Sequence, residues 1–295
     1  MTRTEGNDPR QAAARPQPLL LSFLGIYVLG RGVAVYSGSL IEVFARLGVS
    51  EEAVRSTLAR MAKRGLLARH RRGRKTYFGL TERAEEVLED GRSRVWETGA
   101  VNRAWDGTWT LVGFSLPDSA TRHDLRSQLI WAGFGLLQSG LWIAPGTKDV
   151  GGVLTALEAS DLRVADHVTV LQAKALGPTE SADIVRKAFD IDEIAGRYRA
   201  FLDRWDTDHP LPGAADDLAR QLLLHTDWLQ LIRQDPHLPA EHLPPDWPAI
   251  RAEQVFHRLA RVYEPPAAKL ASELISEIVE TSGDPGRGRT TVSSH

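Results

Sequence analysis

The sequence predicts an α+β protein: an N-terminal winged helix-turn-helix, a middle ferredoxin-like βαββαβ domain and a C-terminal all-α domain. Three observations carry that prediction. Before residue 81 three short amphipathic helical periods lead into a basic hairpin pattern, between 101 and 177 the elements run β-α-β-β-α-β, and beyond 178 the periodicity is helical. The boundaries read as 18–81 and 101–177, with a helical domain over 178–281. A connector helix spans 82–100, and 1–17 and 282–295 are disordered tails that lack an apolar period.

In the first part, Leu20, Phe23, Leu24, Tyr27 and Val28 recur at i, i+3, i+4, i+7 and i+8, the stripe of a helix that ends at Gly30. After a short stretch, Gly32 to Tyr36, a second helical pattern runs through Leu40, Ile41, Phe44 and Leu47 and stops at Gly48. Ser50 is a good N-cap for a third helix, whose Glu51 and Glu52 suit the positive end of its dipole and whose Val54, Leu58 and Met61 face the core. Leu66, Leu67 and Ala68 then continue into RHRRGRK and out through Thr76 to Leu80, which reads as two short strands around a Gly73 hairpin. Thr81 caps a charged helix, Glu82 to about Glu97, with few apolar positions.

The middle part predicts a strand at Thr108–Pro117, a helix at Ser119–Ala132 and two strands around Gly140. A second helix at Lys148–Ser160 and a last strand at His167–Ala175 complete it. The remainder reads as helices over 182–189, 191–205, 214–232 and 248–279, the last broken or kinked at Pro265 and Pro266.

Composition narrows the function classes. The chain has 295 residues, 42% hydrophobic and 25% charged, enough apolar side chain for two or three cores. With no cysteine it has no disulfide, no thiolate nucleophile and no cysteine-ligated zinc or iron–sulfur site, and it suits a reducing compartment. The apolar run Leu19–Leu29 is too short to cross a bilayer and is closed by Arg31, so a cytoplasmic protein without a membrane partner is expected.

Formal net charge is only −2, yet Ala53 to Thr81 holds nine Lys or Arg and no Asp or Glu. A one-signed block on an otherwise acidic protein predicts a polyanion partner. In a helix-turn-helix the second helix of the motif enters the major groove. Here that helix starts at Ser50 and presents Arg55, Ser56, Arg60 and Lys63 opposite its core face. Arg55 and Ser56 are the base-reading candidates, because a planar guanidinium can make two bonds to guanine. Arg60, Lys63 and Arg64 suit phosphates. The hairpin adds Arg69, Arg71, Arg72, Arg74 and Lys75, able to follow the backbone or enter the minor groove. The partner expected is double-stranded operator DNA.

Other chemistry is thin. Phosphate-binding, zinc-protease and hydrolase motifs are absent, and Gly133-Phe134-Gly135 lacks the third glycine of a dinucleotide loop. His237 and His242 stand five apart among prolines, a poor metal pair, so no metal and no cofactor is expected. His225 reads as a hydrogen-bonded structural histidine, and Trp105, Trp109, Trp131, Trp142, Trp205, Trp228 and Trp247 as core or domain-interface residues.

The runs AVRSTLARMAKRGLL, RRGRKTYFGLTERA, WTLVGFSLPDSATRHDLRSQLIWAGFGLLQSGLWIAP and ARQLLLHTDWLQLIRQDPHLPAEHLPPDW resemble the PaaX-type repressor family of phenylacetate-degradation regulators, over about Pro18 to Ser276. The resemblance implies a winged-helix repressor with a middle domain similar to a CRISPR-associated endoribonuclease and a helical C-terminal domain. It further implies a homodimer released from its operator by an aryl-CoA thioester such as phenylacetyl-CoA. A site for such an effector needs Arg beside aromatics, and the C-terminal candidates are Arg197, Arg220, Trp228, Arg233 and Trp247.

The expectation is therefore a non-enzymatic transcriptional repressor of a catabolic operon. Two alternatives stand beside it. A metal-dependent nuclease would act through the middle domain, where the stretch GFSLPDS offers Ser115 and, past the proline, Asp118. A ligand-independent architectural protein would bind DNA with little sequence discrimination.

Overall fold

A computed structural model of the chain describes residues 16–96, 99–115, 119–155 and 164–279. Among them are ten α-helices and two four-stranded antiparallel sheets. The chain divides into two compact units, formed by the described parts of Met1–Asp90 with Ala267–His295 and of Gly91–Pro266.

In the first unit the apolar stripe expected from Leu20 starts four residues earlier. Helix α1 (Pro16–Tyr27) opens on Pro16, whose missing N–H costs nothing in a first turn, and buries Leu19, Leu20, Phe23 and Leu24. Strand β1 (Val33–Tyr36) and helix α2 (Ser37–Ala45) follow, with Phe23 of α1 meeting Phe44 of α2 edge to face at 6.1 Å. After α2, Gly48 adopts φ +73°, and two backbone bonds, Gly48 N–H to Ala45 and Val49 N–H to Phe44, satisfy the last carbonyls in a Schellman motif. Helix α3 (Glu51–Lys63) begins at Ser50, whose hydroxyl accepts from the Ala53 N–H at 3.3 Å, and buries Val54, Thr57, Leu58 and Met61.

Strands β2 (Leu67–Arg72) and β3 (Lys75–Leu80) pair from Leu67↔Leu80 to Arg72↔Lys75. Their two-residue turn has Gly73 at φ +59° and Arg74 outside the left-handed region, the pattern of a type II′ hairpin. Helix α4 (Glu82–Trp96) buries Ala84 and Leu88.

The sheet of this unit has the order β2-β3-β1-β8, and β8 (Glu277–Val279) corrects the expectation of helix through 279. Helix α10 (Pro248–Leu274) ends five residues before that, and the segment after it pairs Val33↔Val279, Ala34↔Ile278 and Val35↔Glu277. Its place is fixed by the Tyr36 N–H donating to Ser276 O, the Ser276 N–H donating to buried Ser39 Oγ at 3.0 Å, and an Arg31–Glu277 ion pair at 2.7 Å. Pro265 and Pro266 do not end α10, which continues through both.

The second unit holds the β-α-β-β-α-β order. It runs β4 (Thr108–Phe114), α5 (Ser119–Trp131), β5 (Gly135–Gln138), β6 (Leu141–Pro145), α6 (Gly151–Thr155) and β7 (Val168–Lys174). The sheet order β5-β6-β4-β7, all antiparallel, is that of a split βαβ unit. Alternation divides β4 between two cores. Val112 packs with Leu125 and Leu129 of α5 and with Trp142, whereas Trp109 and Leu111 join helices α7 (Ser181–Ala188), α8 (Ile191–Trp205), α9 (Asp217–Arg233) and α10.

The larger core is aromatic. Trp228 of α9 stacks on Phe256 of α10 with centroids 4.9 Å apart and planes at 11°, and Phe201 of α8 leans on Trp228 at 5.4 Å. Trp205 is fully buried, with its indole N–H donating to Asp227 Oδ2 at 2.9 Å.

Ending the chain after Ile275 removes β8 and leaves the Val33–Val35 edge and Ser39 Oγ without partners. The expected result is a loss of about 1–3 kcal/mol of stability in urea unfolding and faster amide exchange at Ala34 and Tyr36, whose N–H groups face that segment. Unchanged exchange there would show that β8 does not hold that edge.

Candidate nucleic-acid interface

The basic residues of the first unit lie on α3 and on the β2–β3 hairpin. Because Val54, Leu58 and Met61 anchor one face of α3, the 3.6-residue period turns Arg55, Ser56, Arg60 and Lys63 outward. The structure exposes these together with Ser50, Arg64, Arg69, Arg71, Arg72, Arg74 and Lys75. Every DNA-contact candidate is thus on the surface and in the unit that holds α1 to α3, α4 as far as Asp90, and β8.

Several are already oriented. Arg55 makes a two-pronged pair with Glu51 one turn earlier, Nε at 2.7 Å and Nη2 at 2.6 Å from Oε1. Both side chains are about 60% exposed, so the pair is worth less than about 1 kcal/mol and yields readily to a stronger anion. The Arg60 guanidinium donates to Thr57 Oγ1 at 3.1 Å, and Ser56 Oγ donates to the Ala53 carbonyl. The Lys75 ammonium lies 4.9 Å from the ring of Tyr36, which packs on Tyr77. Sequence reasoning assigned Glu51 only to the helix dipole; its spacing of four from Arg55 is the signal for the pair.

The effector candidates in the second unit are committed in different ways. Trp228 and Trp247 are core residues, the latter edge to face with Tyr198. Arg220 pairs with Asp217 at 2.8 Å, and Arg197 donates to Gln234 at 3.0 Å. Exposed Arg233 lies 5.7 Å from the ring of Trp131. That tryptophan, expected in a core or interface, is 56% exposed.

Asp235, expected only as part of a motif, is a half-buried acid with two hydrogen-bond donors. It accepts from the Tyr198 hydroxyl and from the His237 N–H at 2.7 Å, while burial pushes both its carboxyl and the Tyr198 hydroxyl above their ordinary pKa. These bonds fix the turn in which His237 adopts φ +58°. Of the nuclease residues, Ser115 follows β4 and Asp118 lies outside the described residues. Among the described residues no three or more His, Asp or Glu are grouped to hold a metal, and no helix is long and apolar enough to cross a membrane.

His225 departs from expectation. Its contacts are rings, Trp96 at 5.9 Å and Phe256 at 5.2 Å, with no hydrogen bond to its side chain among the described residues. Desolvation lowers its pKa to about 4.

Three family models match the chain: PaaX-like protein over residues 15–84, PaaX protein central Cas2-like domain over 102–185, and PaaX-like protein C-terminal domain over 189–273. A relative, the Transcriptional repressor PaaX of Escherichia coli (strain K12), is 31% identical over 265 residues, spanning 86% of this chain and 82% of its own. A solved structure, the uncharacterized protein Rv0674 from Mycobacterium tuberculosis, is 24% identical with a TM-score of 0.57, covering 87% of this chain and 98% of that one. At that identity the likeness concerns the fold.

The histidine gives a pH prediction. His225 is neutral in the folded chain and takes up a proton on unfolding below its ordinary pKa, so acid favours the unfolded state. The stability at stake is fully present above about pH 6.5 and lost as pH falls towards 4, on the order of 3 kcal/mol in all. His225→Phe keeps an aromatic ring and should flatten that part of the pH dependence in urea titrations; equal slopes in both proteins would refute it.

Proposed function

The chain belongs to the PaaX family, and from that premise we propose that it is a ligand-responsive transcriptional repressor whose N-terminal unit is a winged helix-turn-helix that reads operator DNA. The observation that carries the reading is the position of the basic block. All nine of its cations stand exposed on one helix, its C-cap and the adjoining hairpin while the apolar side of both is buried. A globular protein of net charge −2 has no packing reason to concentrate cations so; a polyphosphate partner supplies one.

In this reading α3 lies in the major groove. Arg55 exchanges Glu51 for a guanine edge, an exchange favoured because the base offers two directed acceptors in a drier site. Ser56 stands beside it, Arg60, Lys63 and Arg64 meet phosphates, and Ser50 stabilises the helix end nearest the bases. The hairpin is the wing, and its tip residues Arg71, Arg72, Arg74 and Lys75 reach along the backbone or into the minor groove. A homodimer places two such helices on half-sites about 34 Å apart, or multiples of that. The protein acts in the cytoplasm on a catabolic operon of phenylacetate type, and an aryl-CoA thioester such as phenylacetyl-CoA releases it. The middle domain and the C-terminal helices serve dimerisation and response.

Fluorescence anisotropy with DNA from immediately upstream of the gene tests this at two or more salt concentrations. Affinity should exceed that for unrelated DNA by about 10³ or more and fall steeply with salt. Arg55→Ala should cost about 1–3 kcal/mol on the operator and little on unrelated DNA. Arg72→Ala or Arg74→Ala should weaken both and reduce the salt slope by about one. Binding that none of these substitutions changes would remove α3 and the hairpin as the interface.

A further inference from the structure

The last residue of α4 is a tryptophan that sequence reasoning passed over. Trp96 closes a charged helix with sparse apolar positions, yet its ring packs at 5.6 Å on Phe256 and 5.4 Å on His257 while 47% of the residue remains exposed. Beside it an open cleft of about 600 Å³ is lined by Trp96 and by Glu253, Gln254, His257, Arg258 and Arg261 of α10. The five helix residues form two adjoining stripes, 253-257-261 and 254-258, so one side of α10 makes a wall and the indole makes the other. The size falls in the range of small-molecule sites.

The charges of this cleft are unequally committed. Glu253 accepts from the Ala100 N–H at 3.1 Å and lies 4.0 Å from His257 Nε2, both through Oε1, which turns that oxygen towards the chain following α4 and its own helix. Arg258 gives one nitrogen to Asp206 at 3.2 Å and has donors left over. The side chains of Arg261 and Gln254 have no hydrogen-bond partner among the described residues. The cleft thus offers a half-exposed indole, two guanidinium groups and an amide, beside one carboxylate that holds the chain after α4. An aromatic ring stacks on the first, and carboxylate, phosphate or thioester oxygens meet the others.

We propose that this cleft, between Trp96 of α4 and Arg258 and Arg261 of α10, is the effector site and takes an aromatic group carrying anionic substituents. The inference rests on the ligand-responsive repressor reading above and gives it an address other than Arg197, Arg220, Trp228, Arg233 and Trp247. Of those, the two tryptophans are core residues, whereas Trp96 is half exposed and Gln254, Arg258 and Arg261 are exposed. The place has a regulatory consequence. The chain passes between its two compact units only inside α4, at Asp90–Gly91, and inside α10, at Pro266–Ala267. A ligand held between Trp96 and Arg261 therefore acts on both helices that lead to the DNA-reading unit.

Isothermal titration of the full chain with phenylacetyl-CoA, with coenzyme A and with the aryl sulfonate 8-anilinonaphthalene-1-sulfonate tests the site. Operator anisotropy is measured on the same samples. Arg261→Ala and Trp96→Ala should each weaken phenylacetyl-CoA at least tenfold, Trp96→Phe should stay within about threefold, and Arg197→Ala and Arg233→Ala should match the parent. Quenching of intrinsic fluorescence by the ligand should shrink in Trp96→Phe. Arg261 is exposed and bonded to nothing described, so its variant keeps the test meaningful where Trp96→Ala fails to fold. Parent-like affinity in Arg261→Ala overturns the placement, as does failure of the parent to bind any of the three probes. Failure of operator binding with ligand affinity following the cleft variants would instead overturn the DNA reading and leave the site standing.

Discussion

Helix α10 is the element through which the two compact units share one backbone. At 27 residues it is about 40 Å long. Its first half is bound by aromatic packing, since Phe256 is covered by Trp228 on one side and flanked by His225, His257 and Trp96. Its second half buries Ala267 and Ala271 in the unit that begins with α1, and the segment after it becomes the edge strand beside β1. One covalent rod is thus fixed at one end by ring stacking and at the other by a backbone ladder. Because the ladder is formed by residues more than 240 positions away from β1, the unit that begins with α1 cannot be completed from the first ninety residues of the chain.

The prolines inside α10 are compatible with this duty because of where they fall. Pro265 and Pro266 remove the bonds that Arg261 and Val262 carbonyls would have accepted, a cost of several kcal/mol in a dry interior. Arg261 and Val262 are both exposed, so water replaces the missing donors. The helix therefore persists, with its weakest turn where one unit ends and the other begins. Helix α4 carries a glycine, Gly91, at its own crossing, a residue that lowers helix stability by about 1 kcal/mol relative to alanine. Both crossings are thus locally soft within helices that are otherwise continuous.

Much of this was legible in the sequence, for physical reasons that differ between elements. The three helices and hairpin of the first unit follow from periods of 3.6 and 2 separated by Gly48, Gly65 and Gly73, signals that depend on a few neighbouring residues. The exposure of the nine basic residues followed from the same periods, since Val54, Leu58 and Met61 fix which side of α3 is inward. What was not legible depends on distant partners. Three residues of β8, Glu-Ile-Val, carry no alternation of their own and became a strand because β1 offered an open edge and Ser39 a hydroxyl for Ser276. Helical propensity alone continued α10 through them. Trp96 was hidden for a related reason: a lone aromatic at the end of a polar helix has no period, and only its neighbours 160 residues on, Phe256 and His257, reveal a wall of a cleft.

Regulation by a ligand has a definite energetic size. An effector lowers operator affinity only by the difference between its affinities for the DNA-competent and DNA-incompetent arrangements, so a hundredfold release needs a difference of about 2.7 kcal/mol. A buried core such as that around Trp228 is poorly suited to supply it, because a ligand there must first displace close-packed side chains at several kcal/mol. An open wall against an exposed indole asks for no such displacement, and one aromatic stack with one charge-assisted hydrogen bond is of the required size when both are made in one arrangement and lost in the other. The aromatic core therefore serves as the rigid support for α10, and the response is better placed on the exposed side of the same helix, where binding energy is spent on the arrangement of helices rather than on opening the core.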